Sequence, residues 1–215
     1  MSAQFGPAEL QSALNVSRET LSRETLARLE AYVSLLEAWN TRHNLVSRQS
    51  LAEVWRRHVY DSAQLCAFIP GDAATLVDLG SGAGFPGLVL AILLAGRPSF
   101  HAVLYEATRK KCEFLAHVAS RLNVPAEVRN QRIEDAGPEP FDIVTARALA
   151  PLDRLLAYAQ PFQGPRTLNL FPKGQSALTE LTEARKIWRM RVTQHPSRSD
   201  PSGVILAIRE LSHAA

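Results

Sequence analysis

Cysteine is nearly absent. Cys66 and Cys112 are the only two in 215 residues, too few and too far apart for a disulfide framework or a metal knot. No window approaches about 18 uninterrupted apolar residues, so no membrane-spanning helix is expected. The first ten residues, MSAQFGPAEL, lack the basic start and apolar run of a secretory signal. These absences point to the cytoplasm. Repeats and low-complexity tracts are also missing, and His43 and His58 have no partners at ligand spacing, so no metal is expected. Lysine is scarce. Of 24 basic residues only Lys110, Lys111, Lys173 and Lys186 are lysine. The planar arginine fork suits phosphates and bases, but a codon bias toward arginine explains the same composition. The net charge of +3 is mild and commits the chain to no partner by itself.

The chain has length enough for one domain with a proper core, with a helical extension. Residues 1–70 read as helix. Leu26, Leu29, Val33, Leu36 and Trp39 form one apolar stripe, and a second helix is expected from Leu51 to Phe68, stopped by Ile69-Pro70-Gly71. From Thr75 the rhythm changes. Strands are expected at Thr75–Leu79, His101–Tyr105, Ala126–Asn130, Phe141–Ala146 and Thr167–Phe171. Helices are expected at Pro86–Ala95, Thr108–Leu122, Leu152–Ala159 and Ser176–Trp188. Alternation of this kind gives a mostly parallel sheet with helices on both faces, here over residues 71–215. The last two strands, Arg191–Gln194 and Gly203–Leu211, are too close for a helical crossover and should form an antiparallel hairpin.

The stretch LVDLGSGAGFPGLVLAILLAG, residues 76–96, joins a short β-prone run to an apolar helix through a glycine turn. Gly82-Ala-Gly84-Phe-Pro-Gly87 is literally a dinucleotide fingerprint, which alone is weak evidence. Asp78 argues against a dinucleotide, because a carboxylate there would oppose the pyrophosphate such a site binds at its helix N-terminus. Pro86 also removes a helix N–H that a phosphate would use. A cationic ligand without phosphate fits better, and S-adenosylmethionine is one. Gly80, Gly82 and Gly84 would let the backbone pass close to its methionine part. Glu106, about twenty residues on, stands where an acid can accept both ribose hydroxyls. Ile133 would cover the adenine, and Glu134 or its backbone would receive the exocyclic amine. Structural alternatives stay open for each acid: Asp78 capping the turn, Glu106 pairing with Arg109 or Lys110, Glu134 at a solvated surface.

The motifs DLGSGAGFPG, RIED, FDIVTARALAPL and FPKG, preceded by AWNTRHNLVS and RRHVYDS, resemble the RsmG family. These are the bacterial 16S rRNA guanine-N7 methyltransferases, formerly called glucose-inhibited division protein B. The resemblance runs from about Trp39 to Gly174. It implies a class I S-adenosylmethionine-dependent methyltransferase, a Rossmann-like, seven-stranded, mostly parallel sheet with a C-terminal antiparallel hairpin and an N-terminal helical extension. It also implies methyl transfer to N7 of a guanine near the decoding region of 16S ribosomal RNA, with the small ribosomal subunit or a precursor as partner; a monomer is a separate expectation. By motif position it assigns Gly80, Phe85, Ile133, Glu134 and Arg147 to the cofactor. Pro172 departs from the small or apolar residue many members carry there.

The implied chemistry needs no general base, because guanine N7 carries an exposed lone pair. There is no N-P-P-Y motif for an exocyclic amine, so no catalytic residue is expected. Arg147 leaves a strand at its carboxyl end, where it can hold the cofactor's carboxylate or a nucleotide phosphate, or instead pair with Asp142 or Asp153. Lys173 stands at the same rim, facing RNA phosphate or guanine O6, or solvent. Arg57 and Asp61 are spaced to share a helix face. The resemblance moves Arg57 and His58, with Asn40 and Asn44, toward the substrate side. Residues 185–198 carry five basic side chains around Trp188 and no acid, a pattern suited to RNA, or a solvated edge over an inward tryptophan. Two rivals remain, a methyltransferase acting on a small molecule or protein and a nicotinamide-dependent oxidoreductase. No tyrosine–lysine pair at helical spacing supports the latter.

Overall fold

The computed structural model describes residues 5–15 and 21–214, so residues 1–4 and 16–20 of the expected 1–70 extension lie outside the described residues. Seven strands form one sheet: β1 (Thr75–Leu79), β2 (His101–Glu106), β3 (Ala126–Asn130), β4 (Ile143–Thr145), β5 (Leu168–Lys173), β6 (Trp188–Pro196) and β7 (Val204–His213). Their order is β3-β2-β1-β4-β5-β7-β6. The first five run parallel, and β7 is antiparallel to both β5 and β6. This is the expected sheet with its closing hairpin. Order reverses between β1 and β4, and a crevice opens outside the carboxyl ends of strands at such a point.

Strand residues alternate between two cores. Leu76, Leu104, Ile143 and Leu170 face one side, with helices α5 (Gly87–Leu94) and α6 (Arg109–Arg121). Val77, Val103, Val144 and Phe171 face the other, with α7 (Leu152–Ala159) and α8 (Ala177–Ala184). The N-terminal helices α1 (Pro7–Asn15) and α2 (Arg23–His43) add Leu10, Leu29, Val33 and Leu36 to the first core. The extension is therefore packed on the sheet domain through shared apolar side chains.

Two expected helices are altered. In place of one helix over Leu51–Phe68 the chain forms α3 (Arg48–Ala52), a π-helical turn over Trp55–Tyr60, a single turn α4 (Asp61–Ala63) and a 3₁₀ segment over Gln64–Phe68. Side-chain periodicity cannot separate these variants, which differ in the backbone bonds they close. The helix expected to reach Trp188 ends at Ala184, and Trp188 opens β6 instead. There it is buried, donates Nε1–H to the Asp153 carbonyl at 3.2 Å and packs on His213. Trp188 is thus a core residue and no platform for a base. Among its basic neighbours Lys186 pairs with Glu183 and Arg191 with Glu210, while Arg185 and Arg189 are exposed. Pro172 sits in β5 beyond the last β4 pair, Thr145 with Leu170, and its missing N–H removes nothing from that parallel ladder.

The extension also reaches the glycine turn. Tyr32 of α2 is wholly buried and donates its hydroxyl to the Ala83 carbonyl at 2.7 Å. Replacing it by phenylalanine leaves that carbonyl buried and unpaired. Tyr32→Phe should lower the unfolding free energy by about 1–3 kcal/mol in equilibrium urea titration. An unchanged midpoint would show that the turn does not lean on α2.

Candidate active site

The turn after β1 is built by glycine conformation. Gly80, Gly82 and Gly84 have φ of 68°, 59° and 106°, in the left-handed region where other residues are strained. A Cβ on Gly87 would lie 2.4 Å from Cβ of Asp78, so the first turn of α5 presses directly onto that side chain. Asp78 is completely buried beneath this contact, lines none of the cavities at the carboxyl edge, and accepts the Thr145 hydroxyl at 2.8 Å. Its other oxygen has no hydrogen-bond partner among the described residues. The expected direct contact between Asp78 and a cationic ligand is corrected accordingly: the carboxyl braces the turn from inside. Burial pushes its pKa up to about 6, against the Thr145 hydrogen bond.

Two cavities flank the turn. The first, about 460 Å³, is lined by Gly80, Gly82, Glu106, Ile133, Glu134 and Arg147, with Tyr105 and Tyr158 among the remaining walls. Glu106 is buried at the end of β2. It accepts the Gly82 N–H at 3.0 Å and the Thr108 N–H at 2.7 Å, one on each oxygen. Arg109 pairs with Glu113, leaving Glu106 to the loop. Each Glu106 oxygen keeps a second lone pair for a ligand hydroxyl. Ile133 is 9% exposed on a short 3₁₀ turn. Glu134 accepts the Tyr158 hydroxyl at 3.0 Å, and its own backbone N–H and that hydroxyl hold its carboxyl below the usual range.

The second cavity, about 660 Å³, is walled by the extension, the turn and the β6–β7 connection: Arg56, Arg57, His58, Phe85, Arg147 and Asp200 among others. It shares Gly80, Gly82, Arg147 and Ala148 with the first. Arg147, just past β4, stands at this common wall. Its Nη1 donates to the Arg57 carbonyl at 2.8 Å and to Asp61 at 3.1 Å, and its Nη2 lies 2.7 Å from Nδ1 of His58. The partner is Asp61, neither of the two acids considered from the sequence. Asp142 instead binds the backbone of Ala74 and Thr75. Arginine is an obligate donor, so His58 Nδ1 accepts and Nε2 carries the proton. His58 stacks on Phe85 at 4.7 Å, and burial together with the Arg147 and Arg57 charges pushes its pKa down to about 3. The histidine is neutral at any ordinary pH.

Other assignments shift. The π-helical turn removes the expected Arg57–Asp61 pair; the Arg57 side chain is half exposed and reaches Glu53 at 3.7 Å. Asn44 is the left-handed C-cap of α2 at φ 45°, exposed and absent from both cavity walls, so it stops the helix beside the second cavity without lining it. Asn40 accepts the Val46 N–H at 2.9 Å, closing the same bend. Lys173 is turned inward. It donates to the Ala150 carbonyl and to Glu180, both at 2.8 Å, and its side chain is 10% exposed. This partly buried ion pair occupies the ammonium that the sequence placed toward RNA or solvent. It nonetheless lines a third cavity of about 460 Å³ that adjoins Arg147 and Asp61. Three residues central to the site carried no signal of it: Tyr32, Ser199 and Asp200. Only their long-range contacts reveal them. No group of three potential metal ligands exists among the described residues.

Residues 25–201 match the model of the GidB family, described as rRNA small subunit methyltransferase G. A relative of that name from Parvibaculum lavamentivorans is 49% identical over 208 residues, covering 96% of this chain and 92% of its own. One from Rhodospirillum centenum is 51% identical over 208 residues, with 97% and 92% covered. A SAM-dependent methyltransferase from Aquifex aeolicus shares the fold, with a TM-score of 0.54 at 13% identity over 72% of this chain and 92% of that one. The chain belongs to the GidB family, and it is an S-adenosylmethionine-dependent methyltransferase with the class I Rossmann-like fold.

Asp78 supplies a test of the turn. A carboxyl raised from 3.8 to about 6 contributes stability below pH 4, loses it as pH rises to about 6, and contributes none above. That loss is at most about 3 kcal/mol. Urea unfolding of the wild type and Asp78→Asn at pH 4.5 and pH 7.5 should show the variant gaining on the wild type at the higher pH. An identical difference at both would mean that Asp78 is not held in a raised state.

Proposed function

We propose that the chain transfers a methyl group from S-adenosylmethionine to N7 of a guanine in the decoding region of 16S ribosomal RNA, on the small subunit or its precursor. The coarser statement, methylation of ribosomal RNA, follows from the family. The observation that carries the finer one is the shared wall. A donor-sized cavity and a larger, arginine-rimmed cavity meet at Gly80, Gly82, Arg147 and Ala148. Both fall in the size range of ligand pockets.

The first cavity fits the cofactor. The open backbone at Gly82, where a Cβ would meet nothing nearer than 3.8 Å, receives the methionine part. Glu106 accepts the ribose hydroxyls through its remaining lone pairs, and Ile133 and Glu134 flank the adenine. Arg147 has five N–H groups and spends three on the extension, so two are left for the methionine carboxylate. Phe85 lies beside this guanidinium, 5.3 Å from ring centre to Cζ. When bound, the cofactor supplies an electrophilic methyl on a sulfonium.

The second cavity takes the guanine. Its N7 lone pair needs no deprotonation, so the residues align and desolvate instead of moving a proton. Alignment of this kind contributes several kcal/mol, about 7–11 in favourable systems. Arg56 and Arg57 at the rim offer fixed cations to the RNA backbone, and Lys111, Arg132 and Arg154 continue this edge past the first cavity. One chain completes both cavities, which supports action as a monomer.

Small subunits lacking endogenous methylation, incubated with the protein and methyl-labelled S-adenosylmethionine, should take up label at one guanine. Chemical cleavage at 7-methylguanine locates it. Label on another atom or base would overturn the proposed acceptor.

A further inference from the structure

Guanine presents N7 and O6 acceptors on the methylated edge, where adenine presents N7 and a donor amine. Its opposite edge adds a second mark of identity, the N1–H and N2 amine donors. Arginine has no acceptor and cannot read them. Three carboxylates line the second cavity, Glu53, Asp61 and Asp200. Asp61 is committed to Arg147, Gln64 and Ser199. Glu53 faces the Arg57 guanidinium. Asp200 differs from both. Its Oδ1 accepts the Ser202 N–H at 2.9 Å and hydroxyl at 2.8 Å, while Oδ2 forms no hydrogen bond among the described residues. Those Ser202 bonds, backbone first, hold its carboxyl below the usual range, so it is ionised and accepts only.

We propose that Asp200 is a specificity-determining residue whose free Oδ2 accepts a hydrogen bond from the N2 amine of the target guanine. The inference rests on the guanine-N7 reading above. Asp200 lines both the second and the third cavity, on either side of the Asp61–Arg147 pair, so a base entering the second passes its exposed carboxylate. Its loop is set in advance. Ser199 donates to Asp61 at 2.5 Å, Gln64 binds Ser197 and Ser199, Arg56 donates to the Ser199 carbonyl at 3.3 Å, and the Gly203 N–H closes on the Asp200 carbonyl at 3.0 Å. A recognition group held this way loses little freedom on binding. A hydrogen bond to a charged acceptor favours the base that carries the amine over the analogue lacking it, by about ten-fold where water can take the vacant place.

The test uses small subunits assembled around RNA carrying guanosine or inosine at the methylated position; inosine keeps N7, O6 and N1–H but lacks the N2 amine. For the wild type, kcat/KM should fall about ten-fold on inosine. Asp200→Asn and Asp200→Ala should fall about ten-fold or more on guanosine, with no further loss on inosine, while cofactor affinity measured by calorimetry stays that of the wild type. An inosine penalty of equal size in wild type and variants would overturn the role of Asp200, as would wild-type rates in both variants. A wild type that methylates no guanine N7 would instead overturn the reading beneath it, a distinct result in the same experiment.

Discussion

The site depends on one side chain held by the N-terminal segment of the chain. Arg147 leaves β4 at the switch point of the sheet, yet its guanidinium is placed by the extension, through the Arg57 carbonyl, His58 and Asp61. The π-helical turn over Trp55–Tyr60 carries that carbonyl and that histidine. Arg147 and Asp61 are only 18% and 16% exposed. A pair this little exposed loses its partner at a cost when broken from one side, because the survivor keeps its charge with only partial access to water. Asp61 also takes the hydroxyl of Ser199 and the amide of Gln64, so one carboxylate gathers the extension, the exit of β4 and the β6–β7 connection. Both cavities owe their common wall to that arrangement.

The glycine turn is over-determined in the same manner. From below it rests on Asp78 and the close approach of Gly87. Tyr32 holds it from the extension, and Glu106 ties it to β2 through Gly82. Each constraint comes from a different segment, and together they fix backbone that glycine would otherwise leave free. A rigid scaffold here is consistent with chemistry that relies on alignment in place of proton transfer.

Much of this was readable from the chain. The strands, the mostly parallel sheet and its closing hairpin followed from period, punctuation and the short final connection, whereas the strand order is set by packing that no local pattern records. The spacing that put Gly80, Gly82, Glu106, Ile133 and Arg147 at successive strand ends brings all five to one cavity. What escaped was set by geometry beyond local pattern. Asp78 ends a strand, and only its packing under α5 shows which way it faces. Lys173 reads as facing RNA or solvent, because nothing local marks Glu180, seven residues on, as its partner. The Arg57–Asp61 spacing assumed an α-helix, and one π-helical turn undid it. Asn44 read as a polar loop residue because a left-handed cap looks like any asparagine until its φ is known. Tyr32 and Asp200 act across long sequence separations, which no periodicity records.

In the proposed function Asp61 serves the cofactor only by positioning Arg147. Titration calorimetry of S-adenosylmethionine against the wild type, Asp61→Asn, Arg147→Ala and the double variant tests this dependence directly. Binding should be weaker in both single variants and no weaker in the double variant than in Arg147→Ala, since Asp61 then has nothing left to position. Additive losses would mean that Asp61 contributes independently of Arg147, and would contradict it.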